Sequence, residues 1–155
     1  MPRSHAAVID KVLLIAHVLG ASVWIGGHVV LLAVVIPQAR GQGDVTPVRN
    51  FERSFGRIGL AALAVQVVTG PILASRWIGG WPSIFTTPTH PAHLVLAKVA
   101  LLIAIVVLAT HATHRLLPKL SMATLGRFTR HAWLVTLLSV ALAIAGVSIR
   151  TGWLL

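Results

Sequence analysis

Lys11 and Arg40 bracket the stretch VLLIAHVLGASVWIGGHVVLLAVVIPQA, residues 12–39. No acid or permanent cation interrupts it. At 1.5 Å per residue a helix of this length reaches about 42 Å, more than the roughly 30 Å hydrocarbon core of a bilayer. The run therefore predicts a membrane-spanning helix, and the rest of the chain repeats the signal. Of 155 residues, 56% are hydrophobic and 10% charged, against about 25% charged in an ordinary soluble domain. Mean hydropathy is +0.87. Too little charge is present to cover a water-facing surface, so the composition indicates an integral membrane protein.

Three further apolar runs follow. The expected helices are about 11–36, ended near Pro37, then 52–76, 92–117, stopped by Pro118, and 128–150. Thr69-Gly70-Pro71 is expected to kink the second. Residues 77–92, WIGGWPSIFTTPTHPA, read as a loop with Trp77 and Trp81 at interface depth. The fold class is all-α: one transmembrane four-helix bundle spanning residues 1–155. The first run is too long for a cleavable leader and lacks a small-residue cleavage motif, so it is expected to stay in the bilayer. The basic residues fall mainly in two short connections. Arg40, Arg49, Arg53 and Arg57 flank the first, and Arg115, Lys119, Arg127 and Arg130 the last; Arg3, Lys11, Arg76 and Arg150 lie at the other side. Eight against four predicts both termini outside, on the periplasmic side, of a bacterial inner membrane. The net charge of +10 is thereby a topology signal, and nucleic acid is excluded as a partner.

Inside these runs the notable residues are histidines, eight against three acids, with no cysteine. Disulfides and thiolate metal sites are excluded, and so few carboxylates argue against calcium or magnesium. His17 and His28 are eleven residues apart, so they leave one face of the first helix about 16 Å apart along it. His93 and His111 share a face of the third helix, about 27 Å apart. The expectation is that His17 faces His93 near one membrane surface and His28 faces His111 near the other, with His114 or His131 as substitutes for His111. Opposed imidazoles of this kind clamp a haem iron or hold copper. An intramembrane histidine is costly unless paired and is a functional candidate by default. His90 reads as a loop residue and His5 as solvated tail.

Lys98 is the other intramembrane charge. It either snorkels outward or partners an anion such as a haem propionate or a substrate carboxylate. Glu52 sits among Arg49, Arg53 and Arg57, where an ion-pair network is expected; Arg53 and Arg57 could equally bind propionates. Gln66 and Thr69 are expected to hydrogen-bond between helices. Gly20, Gly26 and Gly27 allow close helix approach or room for a flat cofactor, and Trp24 reads as packing. No nucleophile–base pair and no phosphate loop appears.

Several motifs together resemble the bacterial copper-resistance CopD family: His17–Gly27 as H-x6-W-x-G-G, FERSFGRIG (51–59) with VVTGPILA (67–74), and LVLAKVALL (94–102) leading to HRLLPKL (114–120). A more distant resemblance is to the membrane protoporphyrinogen oxidase family, in which a helix-1 His and a helix-3 Lys form the functional pair; the matching positions are His17 and Lys98. The CopD resemblance implies copper handling in the inner membrane, often with a periplasmic copper-binding partner.

The residues themselves leave several readings open. Paired histidines at two depths favour one or two b-type haems carrying electrons across the membrane, with Arg53, Arg57 and Lys98 neutralising propionates and a quinone or other electron donor as partner. Copper binding or transport is the alternative; its ligands would be His17, His28, His93, His111, His114 and His131. An oxidoreductase acting on a tetrapyrrole or superoxide is a third reading. A homo-oligomer or a subunit of a larger membrane complex is a fourth.

Overall fold

A computed structural model of the chain describes residues 2–82 and 90–151. Five α-helices make four long apolar rods: α1 (Pro2–Val30) continuing into α2 (Ile36–Gln42), α3 (Thr46–Trp77), α4 (His90–His111) and α5 (Met122–Thr151). The four spans Ala7–Gln42, Thr46–Arg76, His93–Leu116 and Met122–Ser148 are each long and apolar enough to cross a membrane. No strand occurs among the described residues. The expected transmembrane four-helix architecture is present.

Its helix ends differ from the expected ones for local reasons. Pro37 does not end the first span. A single π-turn, Leu31–Val35, precedes it, and the Ile36 N–H bonds the Leu31 carbonyl. Pro37 then falls in the first turn of α2, where a missing N–H breaks no bond. The span ends at Gly43, whose φ of +65° suits glycine. The Asp44 carboxylate accepts from the Thr46 N–H at 3.1 Å and opens α3. Hydrogen bonds from Thr46 hold this exposed carboxyl below the usual range. α3 runs unbroken through Pro71 and stops at Gly79 and Gly80, both at positive φ. Residues 83–89 of the expected 77–92 loop lie outside the described residues. α4 passes into a second π-turn, Ala112–Leu116, before Pro118. α5 begins at Met122, not at 128, because the Thr124 hydroxyl accepts the Ser121 N–H at 2.9 Å. A first turn held this way needs no apolar residues, so the hydrophobic run alone places the start too late.

α1 packs along α3, α4 along α5, α5 against α1, and α3 more lightly against α4. α1 and α4 are thus diagonal. Two apolar clusters hold the rods together. One, around Ile36, Val48, Leu120 and Phe128, closes the end that carries the two short connections. The other, around Trp24, Leu63, Ile105 and Val135, fills the middle. Large apolar side chains such as Val18, Ile58, Ile103 and Leu137 stay exposed on the outside of the bundle, as a lipid-facing surface requires.

Candidate functional site

Between these clusters lies a cavity of about 310 Å³ that opens toward the connection end. Trp24, Gly27 and His28 come to it from α1, Glu52, Arg53, Phe55 and Arg57 from α3, Ala109 from α4 and His131 from α5. The local sequence explains the space. Gly27 carries no side chain, so the Phe55 ring lies directly over it. Phe55 stacks on Phe51 with centroids 5.2 Å apart, leaving one wall aromatic. Trp24 is buried and anchored: its indole Nε1–H donates to the Ser139 hydroxyl at 2.9 Å, and its ring lies 4.5 Å from that of His28.

Each interior histidine has one nitrogen committed. His28 Nδ1 is 2.9 Å from the Trp24 carbonyl. A carbonyl only accepts, so Nδ1 carries the hydrogen and Nε2 keeps its lone pair. His131 Nε2 is 2.9 Å from the Leu108 carbonyl, so Nε2 carries the hydrogen and Nδ1 is the uncommitted nitrogen. His17 Nδ1 lies 2.8 Å from Thr69 Oγ1, and that hydroxyl gives its own hydrogen to the Val65 carbonyl at 2.6 Å. Thr69 therefore accepts from His17, whose Nε2 remains open. A second-layer acceptor on one ring nitrogen is how proteins orient imidazoles for metal.

The expected pairings come out rearranged. His28 and His131 border the same cavity, whereas the His111 ring meets His131, centroids 5.6 Å apart. His111 and His114 are exposed, and so is His93. His17 lies toward the termini end, tied to α3 by Thr69 and by the Gln66 amide, which donates to the His17 carbonyl at 2.6 Å. Gln66 and Thr69 thus make the interhelical bonds anticipated for them. Lys98 does not reach outward. Its ammonium lies over Gly146 of α5, 3.2 Å from where a Cβ would stand. His5 is exposed within α1 and not in an extended tail, and the side chain of His90 lies outside the described residues.

The expected ion-pair network around Glu52 is absent. Arg49 instead donates to the Leu120 carbonyl at 2.5 Å, Arg53 and Arg57 are exposed, and the ion pair among the described residues joins Arg76 to Asp10. Glu52 faces the cavity with no ion-pair partner. The competing carbonyl that captures Arg49 comes from the far connection, which no local pattern reveals. Ser139 and Gly146 were likewise invisible as site residues; hydroxyls and glycines in apolar runs carry no signal until a partner is known. Among the described residues, no three His, Asp or Glu side chains gather closely enough to enclose one metal ion.

The family model for copper resistance protein D (CopD) matches residues 49–149, which span α3 to α5. No curated protein matches the chain, and no solved structure does.

Proposed function

Because the chain belongs to the CopD copper-resistance family, we propose that it binds copper ions within the bilayer and passes them through its bundle. The observation that carries this reading is the preparation of the imidazoles: His28 Nε2, His131 Nδ1 and His17 Nε2 are each left uncommitted by a hydrogen bond on the other nitrogen. Imidazole suits copper, and with no cysteine and only Met1 and Met122 soft sulfur ligands are not what the chain offers. Copper here is cargo. Sites with two imidazoles bind less tightly than a closed cage, and an ion that must move on needs sites it can leave. His28 and His131 form the station at the cavity, with Glu52 as the carboxylate facing it. The cavity's arginines follow the positive-inside pattern, which sets the connection end in the cytoplasm of a bacterial inner membrane.

Haem b draws less support. About 310 Å³ lies at the small end of ligand pockets, roughly 300–1,000 Å³. The histidines meant to clamp an iron across the bundle meet other partners instead: His111 lies on His131, and His17 on Thr69. The test is metal quantification on the purified protein in detergent, with a visible spectrum of the same sample before and after dithionite. Copper retained without a Soret band, and diminished in His28→Ala and His131→Ala, is expected. A Soret band with sharp reduced α-bands would replace copper transport by electron transfer.

A further inference from the structure

We propose that the outer face of α5 near the connection end is a binding site for one anionic phospholipid. This inference stands apart from the copper reading. A groove there is lined by Ala123, Thr124, Gly126, Arg127 and Arg130. Arg127 and Arg130 are both exposed. Among the described residues neither pairs with a carboxylate: of the three acids in the sequence, Asp10 pairs with Arg76, Asp44 accepts from Thr46, and Glu52 faces the cavity. Two guanidiniums one helical turn apart, beside a glycine and an alanine that leave the space open, fit the oxygens of a phosphodiester.

What lies beyond the arginines identifies the ligand as a lipid. At 100° per residue, positions 123, 126, 127, 130, 133, 134, 137, 141 and 144 share one stripe about 120° wide. Its next members, Trp133, Leu134, Leu137 and Ile144, are exposed large apolar residues. From Arg130 to Leu137 is about 10 Å and to Ile144 about 21 Å, so one leaflet's acyl chains, half of a roughly 30 Å core, lie along it. Headgroup cations, an interfacial tryptophan and an apolar track follow one another in the order in which a phospholipid presents phosphate, glycerol and chain. A soluble phosphate compound would use the arginines and leave the track uncovered.

The test uses the full chain in detergent, titrated with phosphatidylglycerol or phosphatidylcholine and read by native mass spectrometry. The wild type should retain phosphatidylglycerol in preference to phosphatidylcholine. R127Q/R130Q should weaken that retention by roughly tenfold or more, from the charge each basic residue contributes near a lipid surface, and R130Q alone by an intermediate factor. The matched control is R115Q/K119Q, which removes two exposed charges at the same membrane end off this stripe; it should weaken retention several-fold less than R127Q/R130Q does. Equal weakening in both double variants would overturn the proposal, since general charge attraction would then suffice. So would the absence of any headgroup preference, or displacement of the lipid by millimolar inorganic phosphate. Near-ultraviolet circular dichroism confirms that each variant is folded.

Discussion

Gly27→Ala should destabilise the bundle although alanine is the better helix former. A Cβ at position 27 falls on the edge of the Phe55 ring. The ring has little freedom to retreat. It stacks on Phe51 at an interplanar angle of 18° and rests against Gly59 of its own helix, 3.5 Å from that residue's would-be Cβ. Overpacking of this kind costs about 1–3 kcal/mol. The gain in helix propensity on replacing glycine offsets about 1 kcal/mol of that, leaving a net loss of up to about 2 kcal/mol. Two comparisons isolate the cause. Gly26 has nothing within 4 Å of its would-be Cβ, so Gly26→Ala should be neutral or stabilising. In a Phe55→Ala background the obstacle is gone, and Gly27→Ala should change sign, giving a coupling within the usual 0.5–3 kcal/mol for touching residues. Equilibrium unfolding by SDS titration in mixed micelles measures all of these. A Gly27→Ala loss that persists unchanged without the Phe55 ring would refute the packing argument.

Other parts of the molecule give equally definite expectations. Ser139→Ala removes the acceptor of the buried Trp24 indole N–H and should cost about 1–3 kcal/mol, with a shift in tryptophan emission; an unchanged spectrum and stability would deny the bond. Lys98→Met removes a cation that has no carboxylate partner among the described residues; stability in the same assay should hold or rise, because a charge five residues inside the His93–Leu116 span carries part of the roughly 2.5–3.5 kcal/mol that one at the helix centre costs on insertion scales, and a clear loss would contradict that account. The Asp44 carboxyl is held low by Thr46. Its ordering of the α3 start is therefore complete above the unfolded value of about 3.9 and lost as pH falls through the lower folded value. The protection factor of the Thr46 amide, taken against its own pH-dependent intrinsic exchange rate, should fall over that acid range, and in Asp44→Ala it should be low and independent of pH.

Much of the architecture was legible because bilayer physics is written residue by residue. Apolar length and the basic connections each report a transfer energy that needs no knowledge of neighbours, whereas Lys11, expected at the start of the first helix, lies inside α1, which begins at Pro2. Errors fell where a neighbour decides. Pro37 reads as a stop unless the π-turn before it is known, and Met122 reads as loop because the Ser121–Thr124 bond is polar. Axial spacing along one helix says nothing of azimuth between helices. Thus His111 reached His131 instead of His28. Glu52 lost its expected arginine for a similar reason: the Leu120 carbonyl, 71 residues from Arg49, competes for the guanidinium.

The weighing of copper against haem turns on what the polar groups in the bundle are arranged to do. A haem asks for two imidazoles facing each other across a plane, apolar walls around a large flat ring, and cations at its rim. The arginines and the aromatic wall could serve that purpose, and by composition alone they favoured it. Three-dimensional placement separates the imidazoles instead. His17 is on the termini side, bonded to Thr69, and His28 and His131 are on the connection side, lining one cavity with Glu52. Each ring is braced by an acceptor within its own half, so each is ready to take a ligand without waiting for the opposite helix to supply a partner. The proposed copper passage uses these separated open nitrogens, with Glu52 as the carboxylate on the connection side. This difference in placement, together with the family to which the chain belongs, puts copper first.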